Sequence, residues 1–176
     1  MTKEFGESGK ILPPAPGAPV ANVFMVEAVN GKQYYAYEFP HPSVAATVVL
    51  FDISKNSFLL IERDINPFKG CFAFPGGFLD VGKEEIEDAA VRELYEETGI
   101  RLDRSKLQLI DVRSHPKRDP RDHIFDIAYF ATVDHADAIA GDEVSAYKWA
   151  QKDEIDALAL AFDHDVLWGR VKSRFL

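Results

Sequence analysis

An acidic helical segment behind a pair of glycines is the feature of the sequence that most restricts the fold. The stretch GGFLDVGKEEIEDAAVRELYEETGI, residues 76–100, holds eight carboxylates. Its apolar residues recur at helical spacing and predict a helix over residues 84–98 with one apolar face: Ile86, Ala89, Ala90 and Leu94. Gly99 then stands where many helices end in a left-handed residue. The fold must bury one side of this helix and accommodate the crowded negative charge.

Three glutamates of the predicted helix point into one arc. At about 100° per residue, Glu97 lies about 40° from Glu93, and Glu96 lies about 60° to the other side. A hard divalent cation such as Mg²⁺ relieves such repulsion, taking one or two carboxylates and completing its shell with water and phosphate oxygens. Gly77 has no side chain, so its carbonyl can approach the same ion. The segment predicts a Mg²⁺ site, with Mn²⁺ as the alternative.

This segment resembles the Nudix box, G-x5-E-x7-R-E-U-x-E-E-x-G-U, in which U is aliphatic. RELYEETGI, residues 92–100, agrees with the second half of the box at every defined position, and Glu84 stands at the required distance before Arg92. Between Gly77 and Glu84 the chain has the six residues FLDVGK where the box has five, which is a one-residue insertion. Three further segments are similar to the ADP-ribose pyrophosphatase group: RDINPFKGCFAFPGGF, KRDPRDHIFDIAYFA and LALAFDHDVLW.

The segments before the box predict an extension to the core. Residues 1–19, ending in ILPPAPGAP, contain too many prolines to pair in a sheet and are interpreted as a flexible or polyproline-like arm. Residues 20–39, VANVFMVEAVNGKQYYAYEF, predict a β-hairpin around Asn30 and Gly31. We expect one domain over residues 20–176, with this extra hairpin and a core over residues 44–176.

The fold class expected for the core is α+β. Apolar runs predict strands in SVAATVVLFD, SFLLIERD, CFAFPGGF, LQLIDVRSH, HIFDIAYFATV and AYKWA, with helices at 152–158 and from about 163. This order is similar to that of the Nudix α/β/α sandwich, so the resemblance implies a mixed central sheet between helices.

The resemblance also implies roles for the residues of the box. The metal ligands are Glu93, Glu96 and Glu97 with the carbonyl of Gly77, and Arg92 orients a glutamate. Helical spacing also lets Arg92 pair with Asp88 and Glu96, each four residues away.

A general base and several substrate contacts complete the expected site. Glu143, in a loop led by Gly141 whose mobility would let it close over substrate, is the first candidate for the base, with Asp142 or a box glutamate such as Glu96 as alternatives. The candidate substrate-binding residues are Arg63, Phe68, Arg118 and Arg121.

The reaction expected from these residues is hydrolysis of a nucleoside diphosphate joined to another group, with ADP-ribose giving AMP and ribose 5-phosphate. The box alone leaves other substrates open: a nucleotide sugar, NADH or an oxidised nucleoside triphosphate. A second possibility is a non-catalytic module that senses nucleotides for a transcriptional regulator. The chain offers no room for a DNA-binding domain before residue 20 or after residue 176, and its carboxylate set is complete, so we expect an enzyme. An interaction domain that presents the proline-rich arm is the remote third possibility.

Composition limits the partners and the compartment. A formal net charge of -9 argues against general binding to nucleic acid or to anionic membranes. The single cysteine, Cys71, excludes an internal disulfide and fits a reducing cytoplasm. Because a hairpin alone is marginally stable and two-fold pairing commonly buries such a face, we expect a homodimer that involves residues 20–39.

Overall fold

The computed structural model describes residues 10–12, 23–27, 33–37, 40–141 and 144–176. The chain divides into two compact units, Met1–His41 and Pro42–Leu176. Within the described ranges, every helix is too short or too polar to cross a bilayer.

The first unit contains a three-stranded antiparallel sheet. Its strands are β1 (Lys10–Leu12), β2 (Val23–Glu27) and β3 (Gln33–Tyr37), in the order β1-β2-β3. The antiparallel pairing of β2 with β3 confirms the expected pair of strands, whereas the proposed turn at Asn30 and Gly31 lies outside the described residues.

One expectation about the arm is wrong. Residues 1–19 were expected not to pair in a sheet, yet β1 pairs with β2 over three residues. The physical reason is local: β1 ends just before Pro13, so each of its residues keeps a backbone N–H to donate.

The second unit is built on a seven-stranded mixed sheet. Its strands are β4 (Ser43–Asp52), β5 (Ser57–Arg63), β6 (Phe72–Ala73), β7 (Gly76–Phe78), β8 (Gln108–Arg113), β9 (Ile124–Val133) and β10 (Val144–Ala150). Five of them follow the order β10-β5-β4-β9-β8, while β6 pairs with β5 and β7 with β4. The pairing of β4 with β9 is parallel and the other pairings are antiparallel, so the predicted mixed sheet is confirmed.

Three α-helices accompany the sheet: α1 (Ile86–Thr98), α2 (Lys152–Asp156) and α3 (His164–Phe175). Helix α1 begins two residues later than predicted, because the backbone of Glu85 is extended, with φ -84° and ψ 162°. It ends as predicted at Gly99, whose φ of 70° is left-handed and whose N–H donates to the carbonyl of Tyr95.

Alternate residues of β4 enter the two cores on either side of the sheet. Val48 and Leu50 pack with Ala90 and Leu94 of α1. Val49 faces the other way, into a core that holds residues of the other two helices: Ile155, Leu167, Trp168 and Val171. Full burial of a side chain such as Leu94 contributes about 2 kcal/mol to stability. The α/β/α sandwich predicted from the order of elements is therefore confirmed.

Strand β7 places Gly76 and Gly77 next to β4 on one side and near α1 on the other. Gly76 lies opposite Thr47 of β4, and a Cβ atom on Gly76 would lie 2.3 Å from the carbonyl oxygen of Ala46. No side chain fits at this position. The glycine pair is thus required by close packing of the backbone, and it places the next residues of the chain beside the acidic face of α1.

Candidate active site

A cleft of about 300 Å³ opens beside β7 and α1. Part of its wall comes from the box segment: Gly76, Gly77, Arg92, Glu93 and Glu97. Another part carries the guanidinium groups of Arg63, Arg118 and Arg121. The cleft therefore brings the predicted metal-binding segment together with three of the four predicted substrate-binding residues.

Arg92 organises the acidic wall. Its Nε and Nη2 donate to the two oxygens of Glu84 at 3.0 and 2.7 Å, and its Nη1 donates to Glu93 at 2.8 Å and to Glu96 at 2.9 Å. Nη2 also donates to the carbonyl of Phe78 at 2.9 Å. One guanidinium thus fixes three carboxylates relative to the strand that carries the glycines.

The pairing of Arg92 with Glu96 agrees with the helical spacing, but the expected pairing of Arg92 with Asp88 is wrong. Asp88 instead accepts from Nη1 of Arg104 at 2.7 Å. Arg104 lies in the short 3₁₀ turn Arg104–Lys106, which follows α1 in the chain and also reaches Glu85. Helical spacing allows Arg92 to pair with either Asp88 or Glu96. The fold of the segment after α1 brings Arg104 to Asp88 and so decides that Asp88 does not pair with Arg92.

The two glycines meet two of the box glutamates. The N–H of Gly76 donates to Oε2 of Glu97 at 2.9 Å. A Cβ atom on Gly77 would lie 2.4 Å from the carboxyl carbon of Glu93, so a side chain at this position would displace the carboxylate. The six residues between Gly77 and Glu84 do not prevent this contact.

Glu93 and Glu84 both bind Arg92, but their pKa values are shifted in opposite directions. Burial raises the pKa of Glu93, and the hydrogen bond and charge of Arg92 only partly offset this effect. The pKa of Glu84 is lowered, because its hydrogen bonds with Arg92 outweigh its burial. An added positive charge at this site would therefore favour the ionised form of Glu93, which burial disfavours.

The residues present fit a hard divalent cation, although their arrangement is not preformed. Among the described residues, no group of three or more side chains already has the arrangement of a metal site. Arg92 holds one oxygen each of Glu93 and Glu96. The donor set consists of carboxylate oxygens beside the side-chain-free backbone of Gly77, which is the chemistry that Mg²⁺ or Mn²⁺ prefers.

Both candidates for the general base outside the helix, Asp142 and Glu143, lie outside the described residues. Gly141, which precedes them, is held by its N–H, which donates to the carbonyl of Glu97 at 2.9 Å. A Cβ atom there would lie 1.8 Å from the carbonyl oxygen of Glu96. The absence of a side chain at Gly141 therefore allows its backbone to dock tightly against the end of α1, and the expected mobility of the loop that carries Glu143 stays a prediction.

Aromatic rings organise the basic wall. The guanidinium of Arg63 lies 4.8 Å from the ring centre of Phe162, and that of Arg121 lies 5.2 Å from it. Phe68 contacts the same ring edge to face at 4.9 Å. Phe68 itself is not part of the cleft wall, whereas Phe162 is. Both phenylalanines have positive φ values, 64° for Phe68 and 56° for Phe162, a strained backbone that is common at functional sites.

Arg118 belongs to a buried cluster that the sequence did not reveal. Its Nη2 donates to Asp163 at 2.9 Å, and Nη1 of Arg113 donates to the same carboxylate at 2.6 Å. Asp126 pairs with Nη2 of Arg113 and accepts from the hydroxyl of Thr47 at 2.7 Å. The one available signal was Asp126 itself, a carboxylate inside the otherwise apolar run IFDIAYF.

Comparison with known proteins gives consistent results. Residues 41–167 match the family model of the NUDIX domain. The ADP-ribose pyrophosphatase of Methanocaldococcus jannaschii is 41% identical over 134 residues, which cover 76% of this chain and 74% of that protein. The ADPR responsive transcriptional repressor NtrR of Acinetobacter baylyi is 32% identical over 75% of this chain, which spans only 54% of the repressor.

A solved structure adds a similarity in three dimensions. The NUDIX domain of Shewanella oneidensis NrtR, complexed with ADP ribose, superposes with a TM-score of 0.71 at 27% identity. The superposition covers 78% of this chain and 91% of the other. These similarities confirm the resemblance drawn from the box and from the segments beside it.

Proposed function

The chain belongs to the Nudix family, and from that premise we propose that it hydrolyses ADP-ribose to AMP and ribose 5-phosphate with the help of Mg²⁺. The observation that carries this proposal is the joint presence, in one cleft, of the box glutamates Glu93 and Glu97 and of three arginines that suit a diphosphate. The 41% identity to an archaeal ADP-ribose pyrophosphatase supports the choice of substrate.

The box residues provide the ion site of this proposal. Glu93, Glu96 and Glu97, with the carbonyl of Gly77, would hold the divalent ion, and Arg92 orients the first two by its hydrogen bonds. When bound, such an ion supplies charge neutralisation on the diphosphate and a more acidic water.

The remaining roles fall to side chains around the cleft. Arg63, Arg118 and Arg121 bind the anionic oxygens of the substrate, and Phe68 supports the aromatic wall through Phe162. A carboxylate takes a proton from the attacking water, for which Glu143 is the first candidate and Asp142 or Glu96 the alternatives. The water oxygen joins one phosphorus, the bridging P–O bond breaks, and the second phosphate leaves as a monoester.

The direct test is to incubate the purified chain with ADP-ribose and MgCl₂ and to separate the products by anion-exchange chromatography. We expect equal amounts of AMP and ribose 5-phosphate, and loss of turnover in EDTA that MgCl₂ or MnCl₂ restores. Water labelled with ¹⁸O identifies the phosphorus that is attacked. Faster turnover of NADH, a nucleotide sugar or 8-oxo-dGTP would assign a different substrate to the same site.

A second candidate function is sensing of ADP-ribose without hydrolysis. It is favoured by the similarity to the Acinetobacter repressor and to the NrtR domain complexed with ADP ribose. Calorimetric binding of ADP-ribose combined with no product after prolonged incubation with Mg²⁺ would select this function. The set of box glutamates favours catalysis.

We also propose that the protein is a homodimer whose interface includes residues 20–39, and that it works in a reducing cytoplasm. The small sheet of the first unit supports the dimer, because so few short strands bury little surface alone. Light scattering on the full chain should give a dimer at micromolar concentration, and deletion of residues 1–39 should give a monomer with weaker substrate binding. A full-length monomer would rule out this assembly.

A further inference from the structure

His164 is a buried histidine that lines the cleft and has no part in the roles described so far. The backbone N–H of Phe74 donates to its Nδ1 at 3.1 Å. A ring nitrogen that accepts a hydrogen bond carries no proton, so the proton of the neutral ring is on Nε2. The contact with Phe74 therefore selects one tautomer and makes Nε2–H the only donor of the ring.

That donor has no hydrogen-bond partner among the described residues. In the part of the chain that the structure describes, Nε2 makes no hydrogen bond, and it is not sealed away from solvent. His164 is only 4% exposed, and it is one of the residues that line the cleft. A donor left open on the wall of a binding cleft can serve a ligand acceptor.

The surroundings of the ring favour an anionic acceptor. Burial and the guanidiniums of Arg113, Arg118 and Arg63 hold the pKa of His164 well below its usual value, so the ring stays neutral. The charged groups near the ring, or interacting with those near it, are Arg63 of β5, Arg113 of β8, Arg118 and Asp119 of the loop before β9, Asp126 of β9 and Asp163 before α3. The three arginines place positive charge beside a neutral donor.

Two attachments hold the ring in place before any ligand binds. The segment before α3 pairs with β6, since Phe72 N–H donates to the carbonyl of Ala159 and Ala161 N–H donates to the carbonyl of Phe72. Nη1 of Arg113 donates to both the carbonyl and the carboxylate of Asp163. A donor fixed in this way loses little conformational freedom when a ligand binds.

We propose that His164 is a specificity-determining residue whose Nε2–H donates a hydrogen bond to a phosphate oxygen of the substrate. The inference rests on the proposed function, because ADP-ribose supplies the phosphate oxygens. The ring acts by binding and not by proton transfer. Since it stays neutral, the donor is available through the pH range in which an exposed histidine gains a second proton.

A first experiment compares the kinetics of His164→Asn and His164→Phe with a matched control. His115 also accepts a backbone N–H on Nδ1, from Lys117 at 3.2 Å, but it is exposed and lies outside the cleft wall. We expect KM for ADP-ribose to rise about tenfold in both His164 variants, with kcat within about twofold of wild type. His115→Asn should leave both constants unchanged. A wild-type KM in the two His164 variants would overturn the inference.

A second experiment follows the ring nitrogens of the full chain by ¹⁵N NMR in EDTA. His164 should show an unprotonated Nδ1 and a protonated Nε2 both at pH 7 and at pH 5.5. Addition of ADP-ribose should shift the Nε2–H resonance, and adenosine, which lacks phosphate, should not. An equal shift with adenosine, or no shift when ADP-ribose binds, contradicts the assignment to a phosphate oxygen.

Inorganic pyrophosphate separates the failure of this inference from the failure of the proposed function. If the wild-type protein neither binds nor hydrolyses ADP-ribose, the proposed substrate is wrong. A shift of the Nε2–H resonance with pyrophosphate would still support phosphate recognition by His164. Absence of a shift with pyrophosphate in that case would overturn the inference as well.

Discussion

Two charged clusters each contribute residues to the wall of the same cleft but are built in different ways. The acidic cluster joins Arg92 to Glu84, Glu93 and Glu96, which lie close together in the chain. The buried cluster joins Arg113 and Arg118 to Asp126 and Asp163, with a contact from Thr47, which is 79 residues from Asp126.

The balance of charge differs as well. The acidic cluster offers three carboxylates to one guanidinium and is partly exposed, so excess negative charge remains for a cation. The buried cluster matches two guanidiniums with two carboxylates, and the side chains of Arg113 and Arg118 are each only 5% exposed. The first cluster is suited to binding an ion, and the second to holding side chains in fixed positions.

The largest effect that we expect comes from Glu97, which lies on the same helix as the acidic cluster. Glu97→Gln removes one charge from the proposed ion site and should lower kcat about a thousandfold, roughly 4 kcal/mol in activation free energy. The unfolding midpoint should stay near that of wild type, because the neutral side chain can still accept from Gly76 N–H.

The control for this variant is Glu85→Gln at the beginning of the same helix, where the side chain is exposed and pairs with Arg104. Its kcat should equal that of wild type. Near-wild-type turnover of Glu97→Gln with Mg²⁺ would show that the ion site is elsewhere.

A substitution in the buried cluster should lower the free energy of unfolding. Asp126→Asn leaves Arg113 with a buried positive charge and one carboxylate fewer, and should reduce the free energy of unfolding by roughly 3 kcal/mol. Asp111→Asn is the matched control, because Asp111 pairs with the more exposed Arg170 and such surface pairs contribute less than about 1 kcal/mol. Urea denaturation measures the free energy of unfolding of both variants. Equal losses in Asp126→Asn and Asp111→Asn would show that the buried cluster contributes no more to stability than an exposed ion pair.

His164, which lies near Arg113 and Arg118 of the buried cluster, gives the stability of the protein a pH dependence. The pKa of His164 is lower in the folded chain than its usual 6.5, so the unfolded chain binds one more proton below that pH. Its contribution to stability is therefore complete above pH 6.5 and decreases as the pH falls, by about 1.4 kcal/mol per unit while the folded ring stays neutral.

The measurement is the free energy of unfolding of wild type and His164→Asn between pH 7.5 and pH 5. The wild type should lose stability on acidification more steeply than the variant, because the variant lacks the group that gains a proton on unfolding. Parallel curves would show that the histidine titrates normally in the folded protein.

The smallest effect is expected at the beginning of α1. Arg104 contacts Glu85 and Asp88 on the surface, and exposed ion pairs are weakened by water and salt. Arg104→Gln should have the same denaturation midpoint as wild type within error. A clear loss of stability would show that exposed charge pairs near the acidic cluster matter as much as buried ones.

Much of the fold and the acidic wall could be predicted from local patterns. Glutamates spaced three and four residues apart share one face of any α-helix, so Glu93, Glu96 and Glu97 were identified without knowledge of the fold. Strand β4 agrees in both bounds with the apolar run SVAATVVLFD, and Gly99 ends α1 as expected. In these cases the physical cause lies within a few residues of the chain.

Tertiary structure alone decided the contacts that depend on distant partners. The parallel register of β4 and β9 places Ala45 opposite Asp126, and two residues further along β4 the Thr47 hydroxyl reaches that carboxylate. The same is true of Asp88, which pairs with Arg104 and not with Arg92, and of Gly141, which docks on α1. Helical and strand periodicity determined which face each side chain occupies. The partner that each face contacts depends on sheet register and loop docking. Register and docking arise only when the whole chain packs together.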